Sequence, residues 1–137
     1  MTVLHLRITS NKQKITLPKP IHAQNIQFIR GTIIKDTTAG TTYDGACMIN
    51  LDNLFNGYEI ISNTNLNSLM LPFSDSTDVT TIQFIQDYDS EEIKQSFPVS
   101  VFKYDGTTPL PMGSGAGQVK SIDLYFNISE SYDYSGY

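Results

Sequence analysis

The chain has 137 residues, a length that fits one domain built on one core. Hydrophobic residues make up 39% and charged residues 17%, so Thr, Ser, Asn and Gln cover much of the surface, a makeup that favours strands and turns over helix. Nine basic residues against fourteen acidic ones leave a formal charge of −5, which argues against a nucleic-acid partner held by its phosphates.

The first predicted strand is 3–9, where Leu4, Leu6 and Ile8 alternate with His5 and Arg7 in the period of a half-buried strand. That alternation differs from a cleaved leader, and no window approaches the roughly 18 apolar residues of a membrane helix, so neither a leader nor a membrane span is expected. A second short strand at 12–17 stops at Pro18 and Pro20, which lack the amide hydrogen a ladder needs. A third is expected at 25–36, with Gly31 in its middle marking a bulge or bend.

Beyond a Thr/Gly turn region, 46–51 reads as a strand with Cys47, Ile49 and Leu51 on its apolar phase. As the single cysteine, Cys47 has no internal disulfide partner; it reads as a buried small hydrophobe, which fits synthesis in a reducing compartment. Residues 51–57 look like one helical turn closed by Gly57, and strands at 58–62 and 68–73 flank a hairpin connection at Asn63-Thr64-Asn65.

A continuous strand is expected at 79–87, then a loop at 90–95, since Ser90 to Gln95 is too short for an independent helix. The strand at 97–104 ends in the turn dipeptide Asp105-Gly106, after which 107–117 holds Pro109, Pro111 and three glycines, and its glycine-rich part 113–117 reads as a flexible connector. The clearest strand is the last. Ile122, Leu124, Phe126 and Ile128 alternate with Ser121, Asp123, Tyr125 and Asn127, predicting one core face and one wet or subunit-facing face.

Many short strands at regular spacing without a long helix predict an all-β fold, a single jelly-roll or Greek-key β-sandwich over residues 1–128. Residues 129–137 carry no aliphatic side chain and read as a C-terminal tail. Its tyrosines Tyr132, Tyr134 and Tyr137 are candidate interaction residues, because Tyr offers large contact area at small entropy cost.

No catalytic, cofactor-binding or metal-binding set emerges from the residues. His5 and His22 lack metal-ligand spacing and read as ordinary surface histidines. The run Asp87-Tyr88-Asp89-Ser90-Glu91-Glu92 resembles the start of a calcium loop, but Glu92 stands where that loop needs glycine and Pro98 where it needs a bidentate Glu. A solvated acidic loop is the simpler reading. Gly113-Ser114-Gly115-Ala116-Gly117 has neither the following helix nor the Gly-Lys-Ser/Thr ending of a phosphate loop, and Asn127-Ile128-Ser129 matches a glycosylation pattern inside a strand.

The order of these features, from an early strand through Ala46-Cys47-Met48-Ile49-Asn50-Leu51-Asp52-Asn53 and Phe97-Pro98-Val99 to Ile122-Asp123-Leu124-Tyr125-Phe126-Asn127-Ile128, is similar to that of small single-jelly-roll capsid proteins. These are the vertex (penton) and minor capsid proteins of icosahedral DNA viruses, such as tectivirus-like phages, virophages and polinton-like viruses. The resemblance implies a coat subunit in the virion, made in the host cytoplasm, whose partners are other capsid subunits and which assembles as a homo-oligomer with a pentamer favoured. It implies no catalytic residue and no cofactor. A receptor- or carbohydrate-binding β-sandwich and a small β-barrel enzyme are the other classes open to such a chain; the sequence has no Trp for a sugar platform and no acid–base constellation for the enzyme.

Overall fold

The structure, a computed structural model, describes residues 2–36, 45–51, 68–73, 78–88, 92–93, 95–115 and 117–130. Its strands are β1 (Thr2–Ile8), β2 (Lys12–Thr16), β3 (Ile21–Lys35), β4 (Ala46–Asn50) and β5 (Ser68–Pro72), followed by β6 (Val79–Ile82), β7 (Gln86–Tyr88), β8 (Glu92–Ile93), β9 (Ser96–Lys103) and β10 (Val119–Glu130). All pairings between them are antiparallel, and the described residues contain no helix.

One sheet runs β1-β10-β3-β6, with β7 and β8 also paired to β3; the other runs β2-β9-β4-β5. With β6, β7 and β8 counted as one interrupted strand, this is the order of an eight-stranded jelly roll, in which successive strands change sheet except at the β4–β5 pair. The expected all-β jelly-roll sandwich is therefore the fold of the chain.

Alternation builds the core. Leu4, Leu6 and Ile8 of β1, Ile122, Leu124, Phe126 and Ile128 of β10, and Ile26, Phe28 and Ile33 of β3 point inward from the first sheet. They meet Cys47 and Ile49 of β4, Leu69 and Leu71 of β5, and Phe97, Val99 and Val101 of β9. At the centre the sheets approach closely: a Cβ added at Gly31 would lie 3.1 Å from Leu71 Cδ1.

Several boundaries differ from the sequence-based expectation, each for a tertiary reason. β3 starts at Ile21 because its first residues pair with β8 (Ile21 with Ile93, His22 with Glu92), so part of the stretch expected as a loop is a two-residue strand. The expected continuous strand 79–87 is broken at residues 83–85. β6 pairs with Gly31 to Ile34 and β7 with Ile26 to Phe28, while against β10 the register of β3 shifts between Arg30 and Phe28. The partner thus breaks where β3 bulges at Ile29, two residues before Gly31. Ser129 and Glu130, expected in the tail, continue β10 opposite Asn25 and Ala23.

The segment after β9 is tied down by hydrogen bonds: Leu110 N donates to Val101 O at 3.0 Å, Asn11 Nδ2 to Leu110 O at 2.8 Å and, at the start of the expected flexible connector, Gly113 N to Val119 O at 2.9 Å. Leu110 is fully buried, so the segment adds to the core. The helical turn, strand and hairpin expected within 52–67 lie outside the described residues; β5 has β4 as its partner.

Candidate interaction surface

The outer side of β10 was expected to be wet or to face another subunit. Ser121 and Asp123 are buried there although both are polar. β10 lies between β1 and β3, and Asp123 is covered by His5 and Arg7 of β1.

Register dictates who meets whom. His5 is directly opposite Tyr125, Arg7 opposite Asp123, and Arg30 opposite Tyr125 from the other side. The His5 and Tyr125 rings stack with centroids 4.6 Å apart and an interplanar angle of 5°. Arg30 Cζ sits 4.3 Å from the centroid of the same Tyr125 ring, a cation–π contact arriving from β3. His5 Nε2 donates to Asp123 Oδ1 at 2.7 Å, and Arg7 Nη1 lies 3.7 Å from that oxygen. The Asp123 side chain is only 9% exposed, so two groups from β1 hold a carboxylate that has little water of its own.

The result is a polar plate across three strands, Arg30–Tyr125–His5–Asp123–Arg7, with its aromatic and cationic groups immobilised by one another. Arg and Tyr are residue types over-represented where proteins bind proteins, because each loses little freedom for the contact it makes. Held rigid in advance, such a face is suited to docking against another macromolecular surface.

His5 was expected to be an ordinary surface histidine; the structure joins it to this plate. Asp123, Tyr125, Arg7 and Arg30 were not singled out by the sequence, and the alternation of β1 and β10 shows only that they point outward. His22 is exposed at the start of β3. At the two ends of the acidic run Asp87, in β7, accepts from Gln27 Nε2 at 3.0 Å and Glu92 belongs to β8, while residues 89–91 lie outside the described residues. Cys47 is buried, and burial pushes its thiol up to about 12.

Asn127 sits within the β10 ladder between Val3 and Gln27. Among the described residues, no three His, Cys, Asp or Glu side chains gather to hold a metal ion, and no helix is long and apolar enough to cross a membrane. Tyr132, Tyr134 and Tyr137 lie outside the described residues. No family model, curated protein or solved structure matches the chain.

Proposed function

We propose that the chain is a structural subunit of an icosahedral viral capsid, a vertex (penton) protein or a minor or cement protein, acting through contacts with other capsid subunits. In this reading it is made in the host cytoplasm, resides in the virion, catalyses no reaction, and forms a homo-oligomer with a pentamer favoured. The observation that carries the reading is the strand order, a double Greek key shared by viral coat and lectin domains. The plate on the outward face of the β1-β10-β3 sheet supports it, because the chemistry gathered there is that of a protein–protein contact.

A receptor- or carbohydrate-binding module is the competing use of this fold. Tyr125 is the ring that such a module would offer on its outer sheet. His5 and Arg30 flank that ring from opposite neighbouring strands, so a sugar would have to displace one of them to stack. Light scattering on the purified chain, from micromolar to hundreds of micromolar, is expected to give a closed ring, with five 15.3 kDa subunits favoured. A chain that stays monomeric throughout and binds a soluble glycan or receptor fragment would overturn the coat reading.

A further inference from the structure

Charge is segregated along this chain. Arg7, Lys12, Lys14, Lys19, Arg30 and Lys35 all precede the first acidic residue, Asp36, and between Lys35 and Lys94 there is no Lys or Arg while most of the acids lie there. The topology turns this linear segregation into a lateral one. β1 and β2 are the outer strands of the two sheets at one side of the sandwich, joined by the short 9–11 turn, which Gln13 ties down by accepting from Thr9 N at 2.8 Å and donating to Arg7 O at 3.3 Å. β5 and β6 are the outer strands at the other side. One flank thus carries exposed Lys12 and Lys14 on β2 beside Arg7, whose charge is partly met by Asp123 of β10. The other presents exposed Asp78, just before β6, and Asp87 on β7, and among the described residues its strands β5, β6 and β7 carry no Lys or Arg.

A second, independent observation marks the same flanks. Large apolar side chains exposed among the described residues are Val3, Met70, Val79, Ile85 and Tyr104. Val3 (57% exposed) is on β1; Met70 is on β5, Val79 on β6, and Ile85 (70% exposed) in the break between β6 and β7. Only Tyr104 lies elsewhere, in the turn after β9. Apolar contacts with oppositely charged surroundings are the makeup of a protein interface. The β1 edge is open as well: it is seven residues long without Pro or bulge, two of the devices that discourage edge pairing, and its outer side has no strand partner among the described residues.

We propose that copies of this chain associate head to tail, the basic β1–β2 flank of one copy against the acidic β5–β6–β7 flank of the next. Like flanks repel, so a two-fold dimer that joins a flank to its own kind is disfavoured, and the contact is heterologous, which closes into a ring when the rotation per subunit permits. This inference deepens the coat-subunit reading and rests on it.

The test is a charge swap read by sedimentation velocity. Lys12→Glu with Lys14→Glu, and separately Asp78→Lys with Asp87→Lys, are each expected to weaken self-association at least about tenfold. The chain carrying all four substitutions has its complementarity reversed but restored and is expected to regain the ring. Added salt is expected to weaken the unaltered ring, and Ile85→Ser to loosen it without any change of charge. Circular dichroism and unfolding midpoints confirm that each variant is folded, and the salt series needs no variant at all. A ring unaffected by salt and by both pairs of substitutions, or a fourfold variant that stays dissociated, overturns the flank pairing while leaving the coat reading standing. A wild-type chain that is monomeric at every concentration overturns the pairing and the homo-oligomer together.

Discussion

Phe126→Ala is the sharpest perturbation of the core. Phe126 is fully buried on β10, the strand between β1 and β3, and it meets Phe28 edge to face with centroids 5.6 Å apart and planes at 71°. Phe28 leans in turn on Phe84 at 4.8 Å, so truncation opens a cavity inside a chain of aromatic contacts. Emptying such a site costs about 3–5 kcal/mol, of which about 0.5–1.5 kcal/mol is the aromatic pair. For a chain of 137 residues each kcal/mol moves the midpoint by about 3–5 °C, so a fall of about 10–20 °C is expected. Thermal unfolding followed by the far-ultraviolet β signal measures the shift, and urea midpoints at unchanged slope check that stability alone has moved. Phe126→Leu, which refills most of the volume, is expected to cost less than about 1.5 kcal/mol. A Phe126→Ala midpoint within about 2 °C of the parent would show that the site collapses or that the core lies elsewhere.

Three smaller expectations come from particular groups. The Asp105 carboxylate accepts from the Thr108 hydroxyl and from the backbone N–H groups of Thr108 and Thr107, at 2.8 and 2.9 Å, and these bonds lower it from 3.8 to about 2. Because its folded value is depressed, the stability it lends the turn is present above about pH 4 and fades as pH falls through about 2; a carboxyl titration by NMR with a midpoint near 4 would refute this. Cys47 should resist thiol reagents in the native protein at mildly alkaline pH and react once denatured; rapid native labelling would mean that β4 opens readily. Gly31→Ala places a methyl 3.1 Å from Leu71 Cδ1 and 3.4 Å from Phe28 Cζ and is expected to destabilise by about 1–2 kcal/mol through overpacking; a variant as stable as the parent would show that the sheets have slack there.

Much of this fold was written in local pattern. The period of two in β1, β4 and β10 is a property of neighbouring residues, and it identified the inward set Leu4, Leu6, Cys47, Ile49, Leu124 and Phe126 before any pairing was known. Turn chemistry did the same for Asp105-Gly106, where Gly106 adopts φ 76° and its N–H donates to Lys103 O at 2.9 Å. The interaction surface was not legible in this way. His5 and Asp123 are separated by 118 positions, and nothing within either strand says that they meet. Their 2.7 Å contact exists because β1 pairs with β10 in one register, and a slip of one residue would have sent every side chain of the strand to the opposite face.

By itself, then, the sequence determined that strands form, which side of β1, β4 and β10 faces the core, and that basic residues come first and acidic ones next. Those properties depend on neighbours in the chain. Tertiary pairing decided the rest: the break between β6 and β7 opposite the bulge in β3, the two-residue β8, the plate built around Tyr125, and the placing of opposite charges on opposite flanks. Each of these depends on which distant strand lies alongside, a choice settled by burying all the inward faces in one core at once.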